Sequence, residues 1–489
     1  MYTPVFILFL SLFYALQPCS AAGASDWRSR SIYQIMTDRF ARSDGSLIAP
    51  CDPKERRYCG GTWSGITKRL DYIQNMGFTA IWISPIVQQI SGETYEGEAY
   101  HGYWPQNLYA LNPHFGSEQD LKDLVNACHA RGMYLMVDVV INHFANQGEI
   151  VKYENFVPFS NERFFHSRCP IDWGNQTSIE YCWMGDGFVT LPDINTEDPQ
   201  VIDTWKKYLN SAVSQYGIDG YRLDAVRNIP KPVWSDITRS VGVYMQGEVW
   251  DKNPNIICPY QEHMGGLHNY PFKEMATTVF TTPGGNLADL VEVAHQMQIQ
   301  CKDVTLFGLF MENHDNPRLG SFTNDMARLR NLAVLNILTD GIPIVYFGQE
   351  QALAGSLDPL NREALWLTRY STTNNLVPTF TALNNLRNYI IKSKSNAPFV
   401  STLATYSLLG NNAMSVRKGN VVLVITNSGQ GVNTDVVVEG FGAGVELVDV
   451  LACRVMHADG SGRLKVTLVG EPIVLYPASL LTGSGICSM

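Results

Sequence analysis

After an apolar run near its start, the chain has no stretch that approaches the ~20 residues a helix needs to cross a bilayer, which excludes a membrane-embedded core. Positive charge is in short supply. Lys and Arg total 36 against 46 Asp and Glu, a net charge of −10, so no basic surface is left to hold a phosphate backbone and nucleic acid is excluded as a partner. Internal repeats and low-complexity tracts are missing too, and no EF-hand loop is present. What remains is 489 residues of ordinary globular composition, 45% hydrophobic and 17% charged, long enough for two or three domains.

The first stretch pairs an apolar run, Val5 to Leu16, with the small residues Ser20, Ala21 and Ala22, the pattern of a secretory signal peptide over 1–22. A secreted, extracellular protein is expected, with no membrane attachment after cleavage. Ten cysteines suit that compartment. Cys19 leaves with the leader. Cys128 shares a helix-spaced apolar face with Leu121, Leu124 and Val125 and reads as a buried free thiol. The other eight can pair in 105 ways, with Cys51–Cys59 and Cys169–Cys182 as local candidates. Asn175, in NQT, is the one N-glycosylation acceptor found.

Apolar runs recur up to about Phe347, each closed by a polar cluster and usually followed by a helical pattern: SIYQIMTDRF, FTAIWISPI, MYLMVDVVINH, DGYRLDAV, VYMQGEVW, LFGLFMENHD and IPIVYFGQE. Continuous apolar strands alternating with helices predict a parallel sheet covered on both faces. With a weaker eighth strand near HNYPF the pattern predicts a (β/α)8 TIM barrel, an open doubly wound sheet being the competitor. A long aromatic, cysteine-bearing insert follows the third strand, and after about Thr402 short strands with turn residues between them predict an antiparallel β-sandwich. The expected domains are the barrel in two parts, 23–142 and 199–401, the insert 143–198 and the C-terminal domain 402–489.

Asp138, Arg222 with Asp224, Glu248 and Asp315 fall at the ends of these apolar strands. In a barrel all strand C-termini open onto one mouth, so four carboxylates are expected to ring one cleft. Each alone would pass as a turn or cap residue. Together they suit cleavage of a glycosidic bond, in which one carboxylate attacks the anomeric carbon and another carboxyl protonates the leaving oxygen. Arg222, two residues from Asp224 and on the same face, would keep the nucleophile charged and oriented. Glu248, beside Trp250, would hold its proton through partial desolvation.

The segments DVVINH (138–143), GYRLDAV (220–226), GEVW (247–250) and ENHD (312–315) resemble, in order and on matching strands, the four motif regions of the α-amylase family of glycoside hydrolases. The cysteine pattern, YHGYW (100–104) and the β-rich tail are similar to the secreted fungal members. The resemblance implies endo-hydrolysis of α-1,4-glucosidic bonds in starch, glycogen and maltooligosaccharides by a retaining mechanism. It makes Asp224 the nucleophile, Glu248 the acid and base, and Asp315 the stabiliser of the transition state. It places His101, Tyr103, Trp104, His143, Arg222, Arg227 and His314 around the sugar, with Asp358 and Arg362 on the non-reducing side. It implies one Ca²⁺ held by Asn142, Glu180, Asp193 and the carbonyl of Asn228, all hard oxygen donors. It also implies the pairs Cys51–Cys59, Cys169–Cys182, Cys258–Cys301 and Cys453–Cys487, and a monomer.

Arg227, Asn228 and Ser64 stand where the fungal enzymes usually carry Lys, His and Gln. Acceptor-side changes of this kind bear on whether water or another sugar takes the glycosyl group, so a 4-α-glucanotransferase is the second reading. A non-catalytic glucan-binding homologue is the third, and the retained carboxylates count against it.

Overall fold

The computed structural model describes residues 22–373, 376–393 and 399–489. The expected leader therefore lies outside the described residues, except for Ala22, which is buried and whose carbonyl accepts a hydrogen bond from the Tyr244 N–H.

Eight short strands form one parallel sheet: β1 (Ile32–Ile35), β2 (Ala80–Ile83), β3 (Tyr134–Val139), β4 (Gly220–Leu223), β5 (Tyr244–Gly247), β6 (Gly266–Leu267), β7 (Gly308–Leu309) and β8 (Ile342–Tyr346). Their spatial order is β6-β5-β4-β3-β2-β1-β8-β7. A parallel bridge from His268 to Gly308 joins the two ends. The sheet is therefore a closed barrel, and the open doubly wound alternative falls. Nearly every strand residue is buried, because helices cover the outside and side chains fill the inside, which is why these strands read as unbroken apolar runs.

The sequence pattern points to HNYPF for the weakest strand, whereas β6 lies just before it. Asn269 already caps a helix over Tyr270–Thr281, its side chain accepting from the Phe272 N–H. Both β6 and β7 begin with glycine, a poor strand former. A Cβ on Gly266 would strike the Tyr244 hydroxyl and one on Gly308 the Gln246 amide, so close packing requires glycine at both, and at the two-residue β6 it leaves little apolar signal.

Strand register sets the site. Asp138 on β3 is the partner of Arg222 on β4, and Arg222 is the partner of Gln246 on β5. Side chains two residues apart on a strand share a face. Asp224 and Glu248 therefore rise one layer above Arg222 and Gln246, at the C-terminal mouth.

Between β3 and the helix Pro199–Tyr216, the insert carries a three-stranded sheet (Asn146–Gln147, Val189–Leu191, Met184–Gly185) and packs Phe144, Phe156 and Phe165 together. After the barrel, a six-stranded antiparallel sheet and the ladder Asn433–Val438 with Leu464–Val469 enclose a second core including Val422, Val424, Val436 and Leu475. The buried pair of Lys418 Nζ and Asp340 Oδ1, 2.6 Å apart, fastens this sheet to the barrel. Disulfides join Cys51–Cys59, Cys169–Cys182, Cys258–Cys301 and Cys453–Cys487, and Cys128 is buried and unbridged. Among the described residues no helix is long and apolar enough to cross a membrane.

Candidate active site

A cleft of about 850 Å³ opens at the C-terminal ends of the strands. Its walls include Asp224, Glu248 and Asp315, together with His101, Tyr103, Trp104, His143, Arg227, Asn228, His314, Asp358 and Arg362. Three of the four strand-end carboxylates thus meet. The fourth does not line the cleft. Asp138 is fully buried beneath it, accepting from Trp82 Nε1 (3.1 Å), the Tyr103 hydroxyl (2.7 Å) and Arg222 Nη1 (3.0 Å). Its place follows from strand register, which puts it one layer below the catalytic level.

Arg222 is the hub. Nη1 lies 2.7 Å from Asp224 Oδ1 and Nη2 lies 2.9 Å from Glu248 Oε2. Burial works against its charge, but Asp138, Glu248 and Asp224 outweigh that cost, so the guanidinium stays a cation. Burial, reinforced by the Asp224 carboxylate and opposed by Arg222, holds the Glu248 carboxyl above the usual carboxylate range. Trp250 is 51% exposed and stacks on Tyr270, whose hydroxyl donates to Glu248 Oε1 at 2.8 Å. Tyr270 is thus the hydrogen-bonded ring beside Glu248, and Trp250 stacks on that ring. Asp315 is pushed up to about 8 by burial and by nearby Glu248.

Four buried histidines stay neutral at neutral pH. Burial lowers His143 to about 4, and burial, with nearby cations, holds His101, His268 and His314 well below the ordinary imidazole value. Partners fix the tautomers of three of them, His143, His314 and His101. The Tyr103 carbonyl can only accept, so His143 Nε2, 3.1 Å away, carries the proton. The Gln34 amide donates to His314 Nδ1 at 2.9 Å, leaving Nε2–H facing Asp315 Oδ2 at 3.3 Å. The Tyr103 N–H donates to His101 Nδ1 at 3.0 Å, so the Nε2–H of His101 is the free donor. The Tyr103 ring lies parallel to His314, with centroids 4.9 Å apart.

Arg362 is only 8% exposed, pairs with Asp358 at 2.8 Å and stands 3.8 Å from Asp315. It is part of the cleft wall, not an isolated surface ion pair. Arg227 is held by Asp251 at 2.9 Å and by Gln176 Oε1 at 3.2 Å. Ser64 lies in the first turn of the helix Trp63–Asn75 and does not line the cleft. Sequence reasoning missed Tyr270, Gln34, Glu96 and Trp173. The last two line the cleft, but both sit in irregular segments where no periodicity marks a direction.

Two of the expected calcium ligands, Asn142 and Asp193, meet where the insert joins the barrel. The Asn142 side chain lies beside the Asp193 carboxyl, and the bridge between His143 and Asp193 aligns their backbones. Asn142 Oδ1 and Asp193 Oδ1 are buried without a hydrogen-bond partner. Glu180 accepts from Gln176, and the Asn228 amide donates to the Ile179 carbonyl at 3.2 Å, which joins the helix Gln176–Tyr181 to the turn after β4. Among the described residues no cluster of three His, Cys, Asp or Glu forms a metal site. Asn175 is exposed at the N-cap of that helix, accepting from the Thr177 and Ser178 N–H groups.

Comparison with known proteins agrees with this geometry. Residues 34–395 match the family model described as α-amylase, catalytic domain, and residues 407–489 match α-amylase, domain C. The chain is 42% identical to α-amylase 2 of Schwanniomyces occidentalis, covering 98% of this chain and 96% of the relative. It is 40% identical to the α-amylase of Saccharomycopsis fibuligera, covering 95% and 94%. The solved α-amylase of Malbranchea cinnamomea superposes with a TM-score of 0.93 at 43% identity, covering 96% of this chain and all of that one. Fold, cleft and relatives together show that the chain belongs to the α-amylase family of glycoside hydrolases.

Proposed function

We propose that the protein is a secreted, monomeric α-amylase that hydrolyses internal α-1,4-glucosidic bonds of starch, glycogen and maltooligosaccharides with retention. The observation that carries this reading is the single Arg222 guanidinium, buried beneath the cleft and bonded to both Asp224 and Glu248. Two carboxyls clasped by one guanidinium suit the roughly 5 to 5.5 Å spacing of a retaining pair rather than the ~6.5 to 9.5 Å that leaves room for an inverting water. Asp224, with one oxygen on Arg222, attacks the anomeric carbon. Glu248 gives its proton to the leaving oxygen, then takes one from the water that hydrolyses the glycosyl intermediate. Asp315, beside Arg362 and His314, holds hydroxyls of the reacting sugar. A relative that is 28% identical, from Geobacillus thermoleovorans, was solved with acarbose bound.

Water, not another sugar, is the acceptor in this reading. Maltopentaose digested by the purified protein is expected to give only shorter sugars from the first minutes, read by chromatography. Products longer than the substrate at early times would favour the glucanotransferase reading instead.

Calcium fits the residues present. Asn142 Oδ1 and Asp193 Oδ1 are oxygen atoms that lack hydrogen-bond partners, and with Glu180 and the Asn228 carbonyl they would make an all-oxygen set suited to Ca²⁺. When bound, the ion would supply positive charge that locks the insert to the barrel. A ligand present at about 100 times its Kd stabilises the native state by about 2.7 kcal/mol, or roughly 3 °C in a protein of this size. Chelation is expected to lower Tm by that amount, calcium to restore it, and Asn142→Ala to abolish the response. A Tm indifferent to chelator would overturn the assignment.

A further inference from the structure

Two large aromatic side chains lie exposed on segments whose neighbouring residues, Glu96 and Leu191, line the cleft, well away from the catalytic carboxyls in sequence. Tyr95 is 83% exposed and Phe188 49%, and their rings stack with centroids 4.3 Å apart and planes 22° apart. Tyr95 belongs to the turn before YHGYW and Phe188 to the hairpin of the insert, so the pair bridges the two walls. A single exposed aromatic needs no explanation, but a stacked pair at the edge of a binding cleft is a surface built for contact.

The supports are rigid. Thr94 Oγ1 donates to the Gly97 carbonyl at 2.7 Å and accepts from the Glu96 N–H at 3.0 Å, closing the turn that carries Tyr95. Asp186 Oδ1 accepts from the Phe188 N–H at 2.7 Å and the Val189 N–H at 3.0 Å, and the Phe188 carbonyl accepts from Gly148 at 2.7 Å. Little ordering entropy is left to lose when a ligand settles on the rings. Stacking covers one face of each ring and leaves the other open.

The pair is continuous with the site already described. Glu96, next to Tyr95, lines the cleft together with Arg56, Asp358 and Arg362, and its carboxyl shares a hydrogen bond with that of Asp186 beneath Phe188. Arg56 in turn lies 3.8 Å from Asp358. A glucan leaving the cleft past Asp358 would meet the Glu96 carboxyl and then the rings. The C–H faces of glucose are apolar and flat enough to lie on an aromatic ring, while its edge hydroxyls bond to carboxyls alongside.

We infer that Tyr95 and Phe188, with Glu96 and Asp186 between them, form a remote glucose-binding platform that extends the cleft on the Asp358 side and selects long α-glucans over short ones. The inference rests on the α-glucan reading above. The test measures binding, so that it does not depend on turnover. In a Glu248→Gln background, titration calorimetry with maltoheptaose is expected to give a Kd about tenfold higher for Tyr95→Ala/Phe188→Ala than for the parent. The Kd for maltotriose, too short to span cleft and rim, should change less than twofold. Tyr95→Phe/Phe188→Tyr, which keeps both rings, should bind like the parent. An unchanged maltoheptaose Kd would overturn the platform and leave the α-glucan reading intact. Equal weakening of both sugars with a lower Tm would also overturn it, making the pair only a clasp between turn and insert. Failure of the parent to bind either sugar would remove the α-glucan reading and the platform with it.

Discussion

Glu248→Gln is expected to lower kcat on maltooligosaccharides by about 10³- to 10⁴-fold, the upper range for a positioned general acid and base, with Tm nearly unchanged. Gln keeps the shape and a hydrogen bond from Tyr270 but has no proton to give. The role is separable from mere shape by changing the leaving group. With α-maltosyl fluoride, whose fluoride departs without protonation, the first step should recover, and the loss should persist only in hydrolysis of the intermediate. The pH profile gives an independent reading. Burial holds the Glu248 carboxyl above its usual range, so it keeps its proton into the region where ordinary carboxyls have lost theirs, and activity falls on the alkaline side as that proton leaves. The Tyr270 hydroxyl, 2.8 Å from Oε1, favours the ionised form. Tyr270→Phe should therefore shift the alkaline limb to higher pH. A limb that stays in place would mean that another group sets it.

Much of this site is legible in the sequence because charges are conspicuous in apolar strands. Asp224, Glu248 and Asp315 each follow a buried run, and a barrel brings the ends of such runs to one mouth. What is not legible is height within the barrel. Asp138 looks like the other three in sequence, yet it pairs with Arg222 in strand register and is sealed below the cleft. The same limit applies to partners on other elements. Tyr270 opens a helix, Gln34 sits on β1, and nothing local shows that either reaches Glu248 or His314. The strand that reads weakest, β6, does so because its first glycine makes room for the Tyr244 side chain of its neighbour. The insert hides most. His166, which reasoning from sequence left aside, holds Asp193 Oδ2 at 2.6 Å, and Tyr95 meets Phe188 across 93 positions by a fold of the chain that no periodicity encodes.

Arg222→Ala should lower turnover by about 10²- to 10³-fold, the size of loss seen when one preorganised hydrogen-bond donor is removed from an active site. From sequence alone, turnover is expected to suffer far more than folding. The structure adds a cost to folding, because the same guanidinium is 3.0 Å from Asp138 Oδ1 and both groups are fully buried. Breaking a buried ion pair by removing one partner costs about 3 to 5 kcal/mol, so a lower Tm must accompany the lost activity. The sign of its pH dependence follows from Asp138. Burial already pushes this carboxyl up to about 7, with Arg222 pulling it down. Without the arginine it rises further above the ~3.9 of an unfolded chain. A group whose folded value is raised contributes stability in full below its unfolded value and loses it as pH climbs through the folded one. The Tm deficit of Arg222→Ala against the parent should thus widen from pH 5 to pH 9. Adding Asp138→Asn removes the stranded charge, so the double variant should regain most of the alkaline Tm and none of the turnover. Parallel Tm profiles for the single and double variants, measured calorimetrically, would show that Asp138 is not the charge Arg222 neutralises.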